Sequence, residues 1–475
     1  MIKIYNTLSK TKEEFKPYNE GILKIYSCGP TVYSTQHIGN MRAVIFTDTL
    51  KRVFKYFGYK IEDVLNITDV GHLVSDEDDG EDKILKASKK ENKDPFEIAK
   101  YYEKIYLQDL EKLNINMPKY LPRASEHIIE QINIIKELEK KGYTYIIDDG
   151  VYFDTSKFKE YGQLSKQSQE TKKSGARIEI DSQKKNSADF ALWKFLTREN
   201  KNHILKWESP WGTGFPGWHI ECSAMGHKYL GSYIDIHTGG IEHIPIHHEN
   251  EIAQNICSNT IKDIKYWMHN EHLLINNEKM SKSLGNVYVL SDLENKGYNP
   301  ISFRETCLRT HYRKQMNFTF ESLDAAQKNV KKINDFYKEL TLINTTQNKK
   351  SLIENLSQES IKKFENAIAD DLNTPLALSY VFDFISEFNK LKEEVNKNDV
   401  NIAKKFMEKT DSVLGLLKDD DEIPLEVLEL AKDRKVARDN KEFKKSDEIR
   451  EEIKELGYEV KDSNTAKKGF ILTKI

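Results

Sequence analysis

The tightest constraint on this fold is a strand–helix–strand unit near the N-terminus. Ile22–Tyr26 reads as a short strand, followed by the loop SCGPTVYSTQ. A helix starts near Ile38, with Met41, Ile45, Thr49 and Val53 on one side and Phe46, Phe54 and Phe57 adjoining it. Gly58 is placed to stop that helix, and Ile61–Ile67 returns as a strand. This order predicts a parallel sheet of the doubly wound α/β kind. Ligands bind such sheets beyond the C-terminal strand ends, where Cys28, Gly29 and Pro30 would lie.

The chain is 475 residues long, enough for roughly three domains. Four cysteines are far too few for a disulfide scaffold. No apolar run approaches the length of a membrane span. The start, MIKIYNTLSKTKEEF, has no long apolar core behind a basic segment, so no secretory signal is expected. These features predict a cytosolic enzyme with reduced thiols. A net charge of -3 argues against wholesale wrapping of nucleic acid and leaves room for a local basic patch.

Further along, residues 75–82 carry six carboxylates and read as a solvated loop, because the EF-hand spacing is absent. Residues 155–186 hold eight basic and four acidic residues and read as an inserted, mobile subdomain. An aromatic, Gly-rich stretch precedes a second strand, YIDIH, with a TGG turn. IPIHHENEIAQNI looks like a helix start and NNEKMSKSLGN like a loop. From about 320 the pattern is almost wholly helical, with a linker at Asp419–Glu422 and Pro424. The stretch 434–460 reads as a charged helix followed by a strand-like tail.

Two constellations carry chemistry. Cys28 ends the first strand, Cys222 lies in GWHIECSAM, and His247 and Glu251 are four apart in HHENE, on one helix face. Two thiolates, an imidazole and a carboxylate suit zinc. Spacing alone does not decide this, since there is no CxxC pair and free Cys is commonly a small buried hydrophobe. Cys257 and Cys307 fall in helical patterns and read as core. The second constellation concerns phosphate. His37, Ile38, Gly39 and Asn40 open a helix, where backbone N–H groups favour anions. Lys279 and Lys282 flank Met280 and Ser281 on a loop that can offset charge developing on an α-phosphate.

In this order the motifs resemble a class I aminoacyl-tRNA synthetase. HIGN at 37–40 is similar to its first signature, with Asn in the usual fourth-position His, and KMSKS at 279–283 to its second. The surrounding words resemble the cysteinyl-tRNA synthetase family: YSCGPTVY, NITDV, KSGAR, DFALWK, WESPWG, PGWHIECSAM, HHENEIAQ, YWMHN, HYRKQMNF, DDLNTP and VARDNKEFKKSDEIR.

The resemblance implies a Rossmann-like parallel-sheet catalytic domain with an insertion, an α-helical bundle and a small C-terminal anticodon-binding domain. The expected segments are 1–125 and 206–270 (the two Rossmann halves), 126–205 (connective insertion), 271–325 (KMSKS loop and stem contact), 326–420 (bundle) and 421–475 (anticodon domain). It implies activation of L-cysteine with ATP and transfer to the 3′-terminal adenosine of tRNA(Cys), with Mg²⁺ accompanying ATP. One zinc per subunit would be held by Cys28, Cys222, His247 and Glu251 and would read the substrate thiol. His37, Asn40, Lys279 and Lys282 would be catalytic. Gly39, Gly239, Glu242 and Lys282 would bind ATP, and Gly29, Thr68, Trp218 and His237 cysteine. Arg438, Phe443 and Asp447 would contact the anticodon, in or just beyond a segment (432–445) with seven basic and three acidic residues. The competing reading there is a salt-bridged surface helix with Phe443 packed inward. A cytoplasmic monomer is expected.

There are departures from the pattern. Glu242 stands where Asp is frequent, the acidic loop 75–82 is long, and Glu271 and His272 replace Gly and an apolar residue. His272 reads as a solvated loop histidine rather than an added metal ligand. Two other readings remain: a ligase joining cysteine to an amino-sugar, which would lack the region 421–475, and a zinc-stabilised RNA-binding module without catalysis.

Overall fold

The computed structural model describes residues 1–70, 83–166, 183–196, 204–281, 284–343, 351, 353–417, 425–462 and 470–474. The acidic stretch 75–82, the KSGAR segment 173–177, Lys282 and the linker 419–424 lie outside the described residues. The chain divides into two units, Met1–Pro300 with Tyr312–Thr319, and Ile301–His311 with Phe320–Ile475.

The first unit begins with a hairpin, β1 (Lys3–Asn6) and β2 (Thr11–Glu14). Then come β3 (Ile22–Ser27), α1 (Ile38–Tyr56) and β4 (Lys60–Leu65), the unit expected from the sequence. His37 caps α1: its Nδ1 accepts from the Asn40 amide at 3.2 Å, while Asn40 Oδ1 accepts from the His37 amide at 3.2 Å. That reciprocal cap satisfies two donors a helix start leaves open. Met41, Ile45, Val53 and Phe54 are buried on the inner face, and Gly58, at φ 92°, follows the last turn.

Next come α2 (Lys83–Glu91), α3 (Pro95–Lys112) and α4 (Ile128–Lys140). Four strands, β5 (Thr144–Ile147), β6 (Gly150–Phe153), β7 (Phe190–Phe195) and β8 (Gly214–Pro216), form an antiparallel sheet. The chain returns through α5 (Trp218–Leu230), β9 (Tyr233–Gly240), α6 (His247–Ser258) and β10 (Asp263–Asn270).

The parallel sheet has the order β10-β9-β3-β4. From β3 the chain moves outward through α1 to β4; after the antiparallel insert it re-enters beside β3 as β9 and moves outward the other way through α6 to β10. The direction reverses between β3 and β9, which is where such sheets open a crevice at their C-terminal ends. Ser27 pairs with Thr238 at that point, and the Cys28 amide donates to the Thr238 carbonyl at 3.3 Å. One core joins the two sheets: Tyr26, Ile220, Met225 and Trp267 share it with Phe153, Phe190 and Trp193.

After β10 the unit continues as β11 (Leu273–Ile275), β12 (Glu278–Lys279) and α7 (Leu290–Glu294). α8 (Pro300–Leu308) leads into the second unit, and β13 (Met316–Phe318) returns to the first to pair parallel with β11.

The second unit is helical, as expected from 320 onward. It comprises α9 (Phe320–Leu342), α10 (Glu354–Ala369), α11 (Thr374–Leu391) and α12 (Lys397–Leu414). Phe384 stacks on Phe406 at 3.8 Å between α11 and α12. Beyond them are α13 (Leu425–Asp439), α14 (Phe443–Glu455), β14 (Tyr458–Asp462) and β15 (Phe470–Lys474). The charged C-terminal stretch is therefore two helices rather than one. Lys441 sits at φ 63°, and the Glu442 amide donates to the Ala437 carbonyl at 2.8 Å, which ends the first helix and turns the chain. The turn lets Val427 and Ala431 pack with Ile449 and Ile453 against Tyr458 and Val460.

Candidate active site and metal centre

A single cavity of about 490 Å³ opens beyond β3 and β9. His37, Gly39, Asn40, Lys279 and Met280 line it, so the two phosphate-type segments, far apart in sequence, face the same space. Cys28, Gly29, Thr68, Trp218, Cys222, Gly239, Glu242 and His247 line it as well. His237 does not. It is 1% exposed, stacks on Trp267 at 4.6 Å and sets its Nε2 2.9 Å from Glu251 Oε2. Strand alternation turns it from the crevice toward α6.

The metal-type residues converge. One ligand atom from each of Cys28, Cys222, His247 and Glu251 lies within 4.8 Å of every other. Cys222 Sγ is 3.5 Å from His247 Nε2, Cys28 Sγ 3.7 Å from Glu251 Oε1, and His247 Nε2 3.0 Å from Glu251 Oε1. A tetrahedral ion with bonds of about 2.0–2.3 Å separates its ligands by about 3.3–3.8 Å. These donors already stand near such edges, so the set fits a divalent metal. A second group, Cys28, His237, His248 and Glu251, is equally compact. It shares two members with the first, but neither of its histidines lines the cavity, whereas Cys28, Cys222 and His247 all do.

The electrostatics agree with cation binding. Burial alone would raise the Cys222 thiol, but hydrogen bonds from Cys28 and His247 bring it down to about 6. Burial alone would neutralise His247, yet the facing Cys222 thiolate and Glu251 carboxylate hold it up at about 10. Burial opposes Glu251 ionising, and His237 and His247 overcome it, holding the carboxyl below its usual range. Cys28 is pushed up by burial and by Cys222. Of the two thiols it is Cys222 that is favoured as thiolate, and a divalent ion would balance the charge of both.

His247 and Cys28 are each backed by a histidine the motif reading did not single out, while Glu251 is backed by His237. His219 Nδ1 lies 2.9 Å from His247 Nδ1, and His248 Nε2 lies 3.3 Å from Cys28 Sγ. His269 supports His248 at 2.8 Å and Thr7 supports His269 at 2.8 Å. Asn66 accepts from the Gly29 amide at 2.9 Å and donates to Thr68 Oγ1 at 3.2 Å; Thr68 donates to Glu221 at 2.8 Å. The available signal was the placement of His219, His248 and His269 inside otherwise buried elements, where an unpaired imidazole is costly.

Other expected residues are placed as follows. Lys279 is exposed on β12, opposite Leu274. His272 Nδ1 is 3.7 Å from Glu242 Oε2, on the cavity wall and away from the metal-type group. In the second unit, Arg438 Nη1 pairs with Asp462 at 2.8 Å, Asp447 is exposed on α14, and Phe443 is 62% exposed. Phe443 is thus not packed inward. Cys257 and Cys307 are buried within α6 and α8. No helix among the described residues is long and apolar enough to cross a membrane.

Comparison with known proteins follows the same outline. The family described as tRNA synthetases class I (C) catalytic domain matches residues 14–328. The DALR domain matches 363–418 and the cysteinyl-tRNA ligase anticodon binding domain 420–468. The last match occupies the region an amino-sugar ligase would lack. A cysteine–tRNA ligase of Treponema denticola is 42% identical over 97% of this chain and 98% of its own. One of Caldicellulosiruptor saccharolyticus is also 42% identical over 97% of this chain and 98% of its own. A methionyl-tRNA synthetase structure from Mycobacterium tuberculosis shares the fold, with a TM-score of 0.58 and 13% identity over 83% of this chain and 90% of that one. With its signatures around one cavity and relatives matched along nearly its whole length, the chain belongs to the cysteine–tRNA ligase family.

Proposed function

We propose that the cavity carries out both steps of cysteine–tRNA ligation. In the first, the cysteine carboxylate attacks the ATP α-phosphate, forming cysteinyl-adenylate and releasing pyrophosphate. In the second, a ribose hydroxyl of the tRNA(Cys) 3′-terminal adenosine attacks the acyl carbon and AMP leaves. The observation that carries this reading is the single space lined by His37, Gly39 and Asn40, by Lys279 and Met280, and by the Cys28, Cys222 and His247 group.

Cys28, Cys222, His247 and Glu251 would hold one zinc, which when bound offers a soft site that prefers sulfur to hydroxyl. A hydrophobic pocket alone discriminates such near-isosteres only about 10²-fold, so selection against serine calls for this chemistry. Gly29, Thr68 and Trp218 would surround the amino acid. His237 would serve by orienting Glu251. His37 Nδ1 accepts the cap hydrogen bond, which puts the ring proton on Nε2, the nitrogen that would face phosphate. Asn40, whose backbone N–H and Oδ1 form the cap, would donate from its side-chain Nδ2. Gly39, Gly239 and Glu242 would hold the nucleotide, and Lys279 and Lys282 would offset charge in the transition state. Mg²⁺ would accompany ATP. Arg438, Phe443 and Asp447 would meet the anticodon, with Phe443 as a stacking ring.

The domains would follow the expected segments, and the working form would be a cytoplasmic monomer. The test is cysteine-dependent ATP–pyrophosphate exchange and aminoacylation of tRNA(Cys), with serine as competitor. Exchange with cysteine and not serine is expected; no exchange by zinc-loaded protein would sink the reading.

A further inference from the structure

Arg42 lies two residues beyond Asn40 on α1 and is 3% exposed. Its guanidinium points away from the phosphate-binding turn and into the chain leading to Lys279. Nη1 donates to the carbonyls of Glu271 at 2.7 Å and His272 at 2.6 Å. Nη2 donates to the carbonyl of Lys314 at 2.5 Å and reaches that of Tyr312 at 3.5 Å. One turn further along α1, Phe46 stacks on Tyr312 at 4.5 Å and 15°. The gripped carbonyls lie at the entries of two paired strands. His272 directly precedes β11, and Lys314 precedes β13 by two residues. Leu273 pairs with Met316, and Leu274 with Lys279 on β12. One buried cation thus fixes the root of the hairpin that carries Lys279 to the helix that carries His37 and Asn40.

The other end of the same gap is equally close. A Cβ on Gly39 would come within 2.5 Å of the Met280 methyl, and the Ile38 amide donates to the Tyr288 carbonyl at 2.9 Å. Two groups acting on one phosphoryl centre must be held to fractions of an ångström, because misplacement by about 1 Å can cost about 10²-fold. A lysine in this position could not replace the fork, since an ammonium is a point donor and cannot span two carbonyl pairs in fixed geometry.

We propose that Arg42 is a positioning residue for cysteine activation, setting the separation between the start of α1 and the Lys279 hairpin. It touches neither substrate nor the metal-type group. The inference rests on reading the cavity as an adenylate-forming site, and the wild-type protein in the same assay tests that reading separately.

The experiment measures cysteine-dependent ATP–pyrophosphate exchange for the full-length zinc-loaded wild type, Arg42→Lys and Tyr312→Leu. Zinc content and circular dichroism are read alongside. For folded Arg42→Lys, the exchange kcat should fall tenfold or more while KM for cysteine and zinc content stay within twofold. Tyr312→Leu, which keeps Arg42 but removes the ring stacked on Phe46, should show the same split with a smaller fall. A folded Arg42→Lys with kcat within twofold of wild type overturns the proposal, as does a KM for cysteine that rises in step with the loss. If Arg42→Lys does not fold, Tyr312→Leu decides by the same kcat and KM criteria. Absence of exchange by the wild type would instead overturn the reading of the cavity.

Discussion

His219 and His247 face each other nitrogen to nitrogen, Nδ1 to Nδ1 at 2.9 Å, both fully buried. One ring must donate and the other accept. For His247 Nε2 to offer a lone pair to a metal, its proton must sit on Nδ1 and be donated to His219. His219 suits the acceptor role because burial, with the neighbouring His247, keeps it neutral well below the usual histidine range. His219→Phe should therefore weaken zinc binding by about 10- to 100-fold. Competition with a chromogenic chelator would show it, and an unchanged zinc affinity would remove the tautomer argument.

Gly29 lies against the backbone of Asn66: a Cβ there would stand 1.5 Å from the Asn66 carbonyl oxygen. The obstacle is main chain, so no side chain can turn aside. Gly29→Ala should push the Cys28 loop off β4, reducing zinc content and cysteine binding together. A variant binding both as wild type would mean the loop relaxes without moving Cys28.

Glu249 is the only contact-making carboxylate on α6 that faces away from the metal-type group toward the 162–165 turn among the hydrogen bonds described. It accepts from the amides of Gly162 at 2.8 Å, Leu164 at 3.1 Å and Ser165 at 2.9 Å. Glu249→Ala removes the acceptor of two buried amides and one part-buried amide and should cost about 3 kcal/mol of stability. Urea unfolding measures this; a loss below about 1 kcal/mol would mean water or a rearranged turn replaces the carboxylate.

Glu305, in the second unit, should make stability fall as pH rises. Burial pushes its carboxyl up to about 7, although Asn329 and Arg309 pull the other way. Its Oε1 accepts from Asn329 at 2.8 Å, and Oε2 has no hydrogen-bond partner. Between about pH 4.5 and 7 the folded state keeps a proton that the unfolded state has released. Stability is therefore fullest below the unfolded value and is lost through this window, by about 3 kcal/mol at most. Glu305→Gln should flatten that slope and raise stability at pH 8. An identical pH profile for wild type and variant would assign the slope elsewhere.

How far the sequence disclosed this follows from the range of the interactions. The Ile22 strand, the helix from Ile38 and the helix holding His247 and Glu251 were legible because apolar spacing and caps are local. The break at Lys441 was not, because charged residues continue across it and only the packing of Ala431 with Ile449 and Ile453 reveals two helices. The metal-type residues could be named from side-chain chemistry, whereas their supports could not. His219, Asn66 and Arg42 act through partners 28, 37 and 229 or more positions away, and no periodicity marks such contacts.

The reversal between β3 and β9 also has a history in time. Ser27 is joined to Thr238, so β3 acquires its inner neighbour only after about 210 further residues are made. At about 5–20 residues per second, that strand waits on the order of ten seconds or more with one edge unpaired. Cys28 is synthesised first of the four metal-type residues and is enclosed only when α6 closes over it. During each round of synthesis it is the thiol longest open to oxidants, and its survival depends on how fast the remainder of the first unit emerges.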